Sequence, residues 1–118
     1  MTPEGAVKRA ILDALLAVGA FAFPVQSGQV KVRGGWMHLA PPGTPDIFVL
    51  VPPVGHLLGL EVKTAKTKER PSQVTWAEGA RRLGVTVQTV RSPAEAVVAY
   101  QVARARLRAT SQDWEGRS

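Results

Sequence analysis

The feature that most constrains this chain is a pair of apolar segments separated by four residues. The first, Asp46-Ile47-Phe48-Val49-Leu50-Val51, is strongly apolar after its opening carboxylate, and the second runs from His56 to Thr64. Pro52-Pro53-Val54-Gly55 stands between them and turns the chain. The first segment reads as a strand at the sheet centre. So short a connection makes its neighbour antiparallel. The beginning of one strand then lies beside the end of the other, which brings Asp46 next to Glu61 and Lys63.

The flanking segments supply helices. Thr2 suits a cap, Pro3 the first helical position, and Glu4 the positive helix end. Val7, Ile11, Leu15 and Val18 then form one stripe, and Gly19 is a stop. Phe21-Ala22-Phe23 is a short apolar strand, and Gln29 to Leu39 alternates as a β-ribbon turning at Gly34-Gly35. Ala40 to Pro45 carries three prolines and a glycine and reads as a loop. A second helix has Pro71 near its start, with Trp76, Ala80 and Leu83 on one face and Gly84 at its end. Val85 to Val90 is a β-branched strand. Ser92-Pro93-Ala94-Glu95 has the form of a capping box and opens a last helix carrying Val97, Tyr100 and Leu107. A single domain over 1–110 and a polar tail over 111–118 are expected. The fold class is α/β, a mixed central sheet flanked by helices.

Composition excludes several classes. With no cysteine, disulfides, thiolate nucleophiles and cysteine-bearing zinc sites are ruled out. No apolar run approaches the roughly 20 residues that cross a bilayer. No secretory signal is visible at the start, so a cytoplasmic protein is expected. Fifteen Lys and Arg against nine Asp and Glu leave a net charge of +6, which favours polyanions, nucleic acid above all.

Chemistry converges on the hairpin. Glu61 and Lys63 lie two apart on one strand and share a face. With Asp46 alongside, two carboxylates and an ammonium occupy one small region. Mg²⁺ takes oxygen ligands and is commonly held by one or two carboxylates, with substrate phosphate and water completing the shell. A cation there lowers the pKa of bound water and neutralises charge on a phosphate. Lys63 adds a fixed positive charge beside the scissile group. The bland alternative is an ordinary solvated, cross-paired strand face.

Gly43-Thr44-Pro45-Asp46, then Glu61-Val62-Lys63, then Gln73 at a helix start resemble the PD-(D/E)xK nuclease signature. Over about Glu4 to Val98 the chain resembles in particular the small VRR-NUC branch, with its stand-alone phage and bacterial forms. The resemblance implies a restriction-endonuclease-like αβββαβ core. It implies that Asp46 and Glu61 are metal ligands for Mg²⁺ or Mn²⁺, with the Val62 carbonyl and Glu4 as further ones. It also implies that Lys63 is the catalytic lysine and that Gln73 reaches the metal water or the phosphate. Ser27-Gly28 matches a Ser-Gly often found before the ribbon. Three positions depart from the pattern: Pro24 replaces a usual arginine, Gln26 an asparagine, and Lys8 a glutamine.

Lys66, Lys68, Arg70, Arg81 and Arg82 follow this motif and read as a phosphate clamp. Arg104, Arg106 and Arg108 scatter over more than one helix face and read as solvated. His38 and His56 make no zinc site, and His56 has a surface role at the far end of its strand from Glu61. Ser27, Ser72, Ser92 and Ser111 lack a His/Asp pairing for serine hydrolysis. Trp36 and Trp76 read as core or interface residues. Trp114 lies in the tail, exposed or docked on a second subunit. The expected function is a metal-dependent DNA endonuclease, acting as a homodimer on branched DNA such as a four-way junction in a bacterial or phage-infected cell. The competing readings are a non-catalytic basic nucleic-acid-binding module and a subunit presenting partners to a larger complex.

Overall fold

The computed structural model describes residues 2–65 and 68–115, with side chains described through residue 110. The first helix, α1 (Pro3–Ala17), starts where Thr2 Oγ1 accepts a hydrogen bond from the Gly5 N–H at 3.0 Å. Then come β1 (Phe21–Pro24), a ribbon of β2 (Gln29–Val32) and β3 (Gly35–His38), and the hairpin of β4 (Ile47–Val51) and β5 (His56–Val62). The chain closes with α2 (Pro71–Arg82), β6 (Thr86–Val90) and α3 (Pro93–Glu115). At the start of α3, Ser92 Oγ accepts from the Glu95 N–H. The backbone of α3 stays helical to Glu115, five residues into the segment read as a polar tail.

Four strands form one mixed sheet in the order β1-β4-β5-β6. The first three are antiparallel neighbours, and β6 adds in parallel to β5. The parallel addition follows from the α2 crossover, since a parallel neighbour needs a connection long enough to carry a helix. The ribbon β2–β3 is a separate two-stranded sheet.

The pleat divides the residues of β4 and β5 between two environments. Ile47, Val49 and Val51 join Leu58, Leu60 and Val62 in the core with Ile11 and Leu15 of α1 and Ala96, Ala99 and Tyr100 of α3. Asp46, Phe48, Gly59, Glu61 and Lys63 have the opposite parity and lie on the face covered by α2. There Phe48 packs against Trp76, their ring centroids 6.1 Å apart. Trp76 is thus half-buried, as expected of a core residue. Trp36 is not: it is 61% exposed, because the ribbon that carries it is not covered by the main sheet. Leu83 does not continue the inward face of α2 either. It caps the helix and is 86% exposed, and Ala77 and Ala80 make the buried contact.

Two glycines let the loop before β4 lie close between β5 and α2. A Cβ on Gly43, whose φ is +89°, would fall 2.0 Å from the Ser72 carbonyl oxygen. A Cβ on Gly59 would meet Pro45 Cγ at 2.7 Å. The loop therefore seats against the first turn of α2 at one point and against β5 at another, which fixes the entry into Asp46. Gly43→Ala is expected to combine backbone strain with a clash against main chain. It should cost more than about 2 kcal/mol, or roughly 8 °C in Tm. Thermal unfolding followed by circular dichroism checks this, and an unchanged Tm contradicts the seating.

Candidate active site

The hairpin register pairs Ile47 with Leu60, so the residue before β4 meets the end of β5. The Asp46 N–H donates to the Leu60 carbonyl at 3.0 Å, and Asp46 Oδ2 accepts from the Val62 N–H at 2.8 Å. Asp46 is thus held to β5 by main chain and side chain together. Val62 is buried, and its amide orients the carboxylate.

Glu61 and Lys63 flank Val62 and are 5% and 4% exposed. Charged residues so deeply buried need partners, and Gln73 in the first turn of α2 serves both. Its Nε2 donates to Glu61 Oε2 at 2.9 Å, and its Oε1 accepts from Lys63 Nζ at 2.6 Å. The same Oε1 accepts from the Arg70 N–H at 3.0 Å, so the amide is fixed by two donors on one side and a carboxylate on the other. Lys63 Nζ also reaches the Lys68 carbonyl at 3.4 Å. Asp46, Glu61, Lys63 and Gln73 therefore form one assembly, brought together from β4, β5 and α2.

Glu4 stands apart from the carboxylate pair. It faces Lys8 one helical turn on, at 3.8 Å, and Lys8 Nζ sits 2.9 Å from Asp46 Oδ1. Lys8 thus bridges the two acids. In the sequence Lys8 stands out only as a departure from a family pattern; its i,i+4 spacing signals the pair with Glu4 but not the contact with Asp46. A cleft of about 200 Å³ opens on this side, lined by Lys8, Arg9, Leu12, Pro24, Asp46 and Ile47.

Electrostatics single out Glu61. Burial, and next the charge of Asp46, push its carboxyl up from the usual 4.5 to about 7, and Lys63 and Lys8 offset this only in part. Its Oε1 is buried with no hydrogen-bond partner. Leaving a buried polar atom unmatched is costly. An oxygen orphaned beside a second carboxylate is a place for a hard cation to enter. Among the described residues no three His, Cys, Asp or Glu side chains converge. The donor set is two carboxylates, which fits a cation that keeps much of its water, as Mg²⁺ does.

Of the cationic residues expected to form a clamp, Lys68 and Arg70 adjoin this assembly through their main chain, whereas Arg81 and Arg82 lie in the last turn of α2, at the opposite end of the helix from Gln73. Lys68, Arg70, Arg81 and Arg82 are exposed, and the Arg81 guanidinium donates to the Val87 carbonyl at 3.0 Å. Lys66 and the side chain of Trp114 lie outside the described residues. His56 is at the far end of β5 and shares a hydrogen bond with Thr86 Oγ1 at 2.7 Å, which gives it a structural partner away from the carboxylates.

This mixed sheet carries an acid at the start of one strand and Glu-x-Lys at the end of its neighbour. A chain described as a VRR_NUC domain matches with 27% identity and a TM-score of 0.57, covering 81% of this chain and 91% of that one. No family model matches the sequence, and no curated protein does. The structural likeness supports the VRR-NUC family.

The Glu61 carboxyl holds its proton more tightly in the folded chain than in the unfolded one. Its contribution to stability is complete below pH 4.5 and is lost as pH rises through 7. Glu61→Gln in EDTA is therefore expected to melt about 3–6 °C above the wild type at pH 8 and level with it near pH 4.5. A gap that stays constant with pH contradicts the assignment.

Proposed function

We propose that this chain is a divalent-metal-dependent endonuclease that hydrolyses DNA phosphodiester bonds. The observation that carries the reading is the orphaned, buried Glu61 Oε1 beside Asp46. The structural likeness to a VRR_NUC domain and the net charge of +6 support it.

The residues divide the work. Asp46 and Glu61 would hold Mg²⁺ or Mn²⁺, with the Val62 carbonyl completing the protein donors. The cation supplies a lowered pKa for bound water and charge neutralisation at the phosphate. Lys63 presents its ammonium to the scissile phosphate, where it stabilises negative charge that grows as the bond breaks. Gln73 positions Lys63 and Glu61 together, because one amide accepts from the first and donates to the second. Lys68, Arg70 and Arg82 hold flanking phosphates, with Lys66 and Arg81 assigned to the same clamp from their positions in the sequence. Glu4 acts through Lys8, which sets the charge around Asp46.

The finer reading is a homodimer acting on branched DNA such as a four-way junction. Two subunits, each with one site, supply the paired cuts that such a substrate requires. The family resemblance supports this arrangement and the bacterial or phage-infected cytoplasm as its setting. No helix among the described residues is long and apolar enough to cross a membrane.

Cleavage of labelled duplex, flap and four-way-junction DNA tests the activity. The wild type is expected to cut with Mg²⁺ or Mn²⁺ and to stop in EDTA. Asp46→Asn, Glu61→Gln and Lys63→Ala should each lose about 10²–10³-fold or more in rate. Gln73→Ala should lose about 10–100-fold, with DNA affinity in EDTA unchanged, because it acts by positioning. Full activity in the first three variants ends the proposal. Salt-sensitive DNA binding without cleavage favours a binding module instead.

A further inference from the structure

The β2–β3 ribbon is an exposed feature that the catalytic reading leaves without a role. Seven of its eight strand residues are exposed, with Val30 half-buried. A two-stranded ribbon is marginal by itself in water, yet this one is rooted firmly. The Gly28 N–H donates to the Ala40 carbonyl at 2.9 Å, Leu39 N–H to Gly28 at 2.9 Å, and Ala40 N–H to Gln26 at 3.1 Å. One residue below the root, the Val25 N–H donates to the Asp46 carbonyl at 2.9 Å. The ribbon therefore springs from chain that is tied at its base to the main chain of Asp46.

Its register sorts side chains by chemistry. Lys31 pairs with Trp36 and Gln29 with His38, so these four share one face. Ring contacts among the described residues run through Phe21, Phe23, Phe48 and Trp76 and leave Trp36 out. Arg33 stands at the turn. No acidic residue occurs between Asp13 and Asp46, and neither Lys31 nor Arg33 is in an ion pair among the described residues. An exposed indole with two free cations and no anions complements a ligand that offers negative charge and flat aromatic faces together. Nucleic acid offers both.

We propose that the β2–β3 ribbon is a nucleic-acid-binding arm: Trp36 stacks on an accessible base while Lys31 and Arg33 hold the adjoining phosphates. At about 3.3 Å per residue the strands reach roughly 15 Å from their root, enough to enter a groove about 12 Å wide or the opened centre of a branch. The proposal rests on the nuclease reading and deepens it. It assigns a preference for DNA with unstacked bases, set by a residue outside the carboxylate assembly.

Fluorescence anisotropy of the full chain in EDTA separates this from catalysis. The probes are a labelled 20-nucleotide single strand, a four-way junction and a continuous duplex. Trp36→Ala is expected to weaken the single strand and the junction about tenfold and the duplex less than threefold. Trp36→Phe should keep most of the affinity, with both variants melting like the wild type. Lys31→Ala with Arg33→Ala should weaken all three probes alike and reduce the salt slope by up to about two. Unchanged binding in Trp36→Ala overturns the proposal, whether the wild type binds tightly or not at all. Dissociation of a DNA-free dimer by Trp36→Ala, read by sedimentation, also overturns it by making the ribbon a subunit contact. A wild type that cannot cut with Mg²⁺ but shows the Trp36 effect defeats the nuclease reading and leaves the arm standing.

Discussion

The hydrogen bond from the Val62 amide to the Asp46 carboxylate is the constraint on which the rest of the site depends. It binds the start of one central strand to the end of the next and turns Asp46 toward Glu61. Like charges brought together in a protein interior repel, and the chain offsets this from three directions. Lys8 approaches Asp46 from α1, Lys63 lies on the same strand face, and Gln73 donates to one oxygen of Glu61. One oxygen is still left without a partner. A fold selected only for stability would be expected to place an apolar residue there, because an incompletely matched buried polar group is worse than none.

The supporting structure is correspondingly rigid. The acids sit on paired strands, and the loop feeding Asp46 is seated by Gly43 against the main chain of α2. Gln73 is itself tied to the Arg70 amide, so the helix start, the lysine and the glutamate move as one unit. The exposed Lys68 and Arg70 border this unit.

Much of the architecture was legible in the sequence because it rests on local signals. Pro52-Pro53-Val54-Gly55 forces a tight return, and strand alternation then fixes which residues share a face with Glu61. Asp46, Glu61 and Lys63 group in this way from the sequence alone, whereas Gln73 joins them only through the resemblance to the nuclease signature. What escaped was set by tertiary packing. The approach of Lys8 to Asp46 depends on where α1 lies against the sheet, which its own periodicity does not specify. For Trp36 only the core half of the reading fails, because alternation tells which residues of a ribbon face alike but not whether either face is covered. Leu83 followed the helical spacing of Trp76 and Ala80, but the helix had ended one residue before it.

Crystals of the wild-type chain grown with Mn²⁺ and measured at a wavelength where manganese scatters anomalously give the most direct test. The account predicts a single strong anomalous peak in contact with an Asp46 oxygen and with Glu61 Oε1. A peak elsewhere, or none at saturating Mn²⁺ with both carboxylates in place, would contradict it.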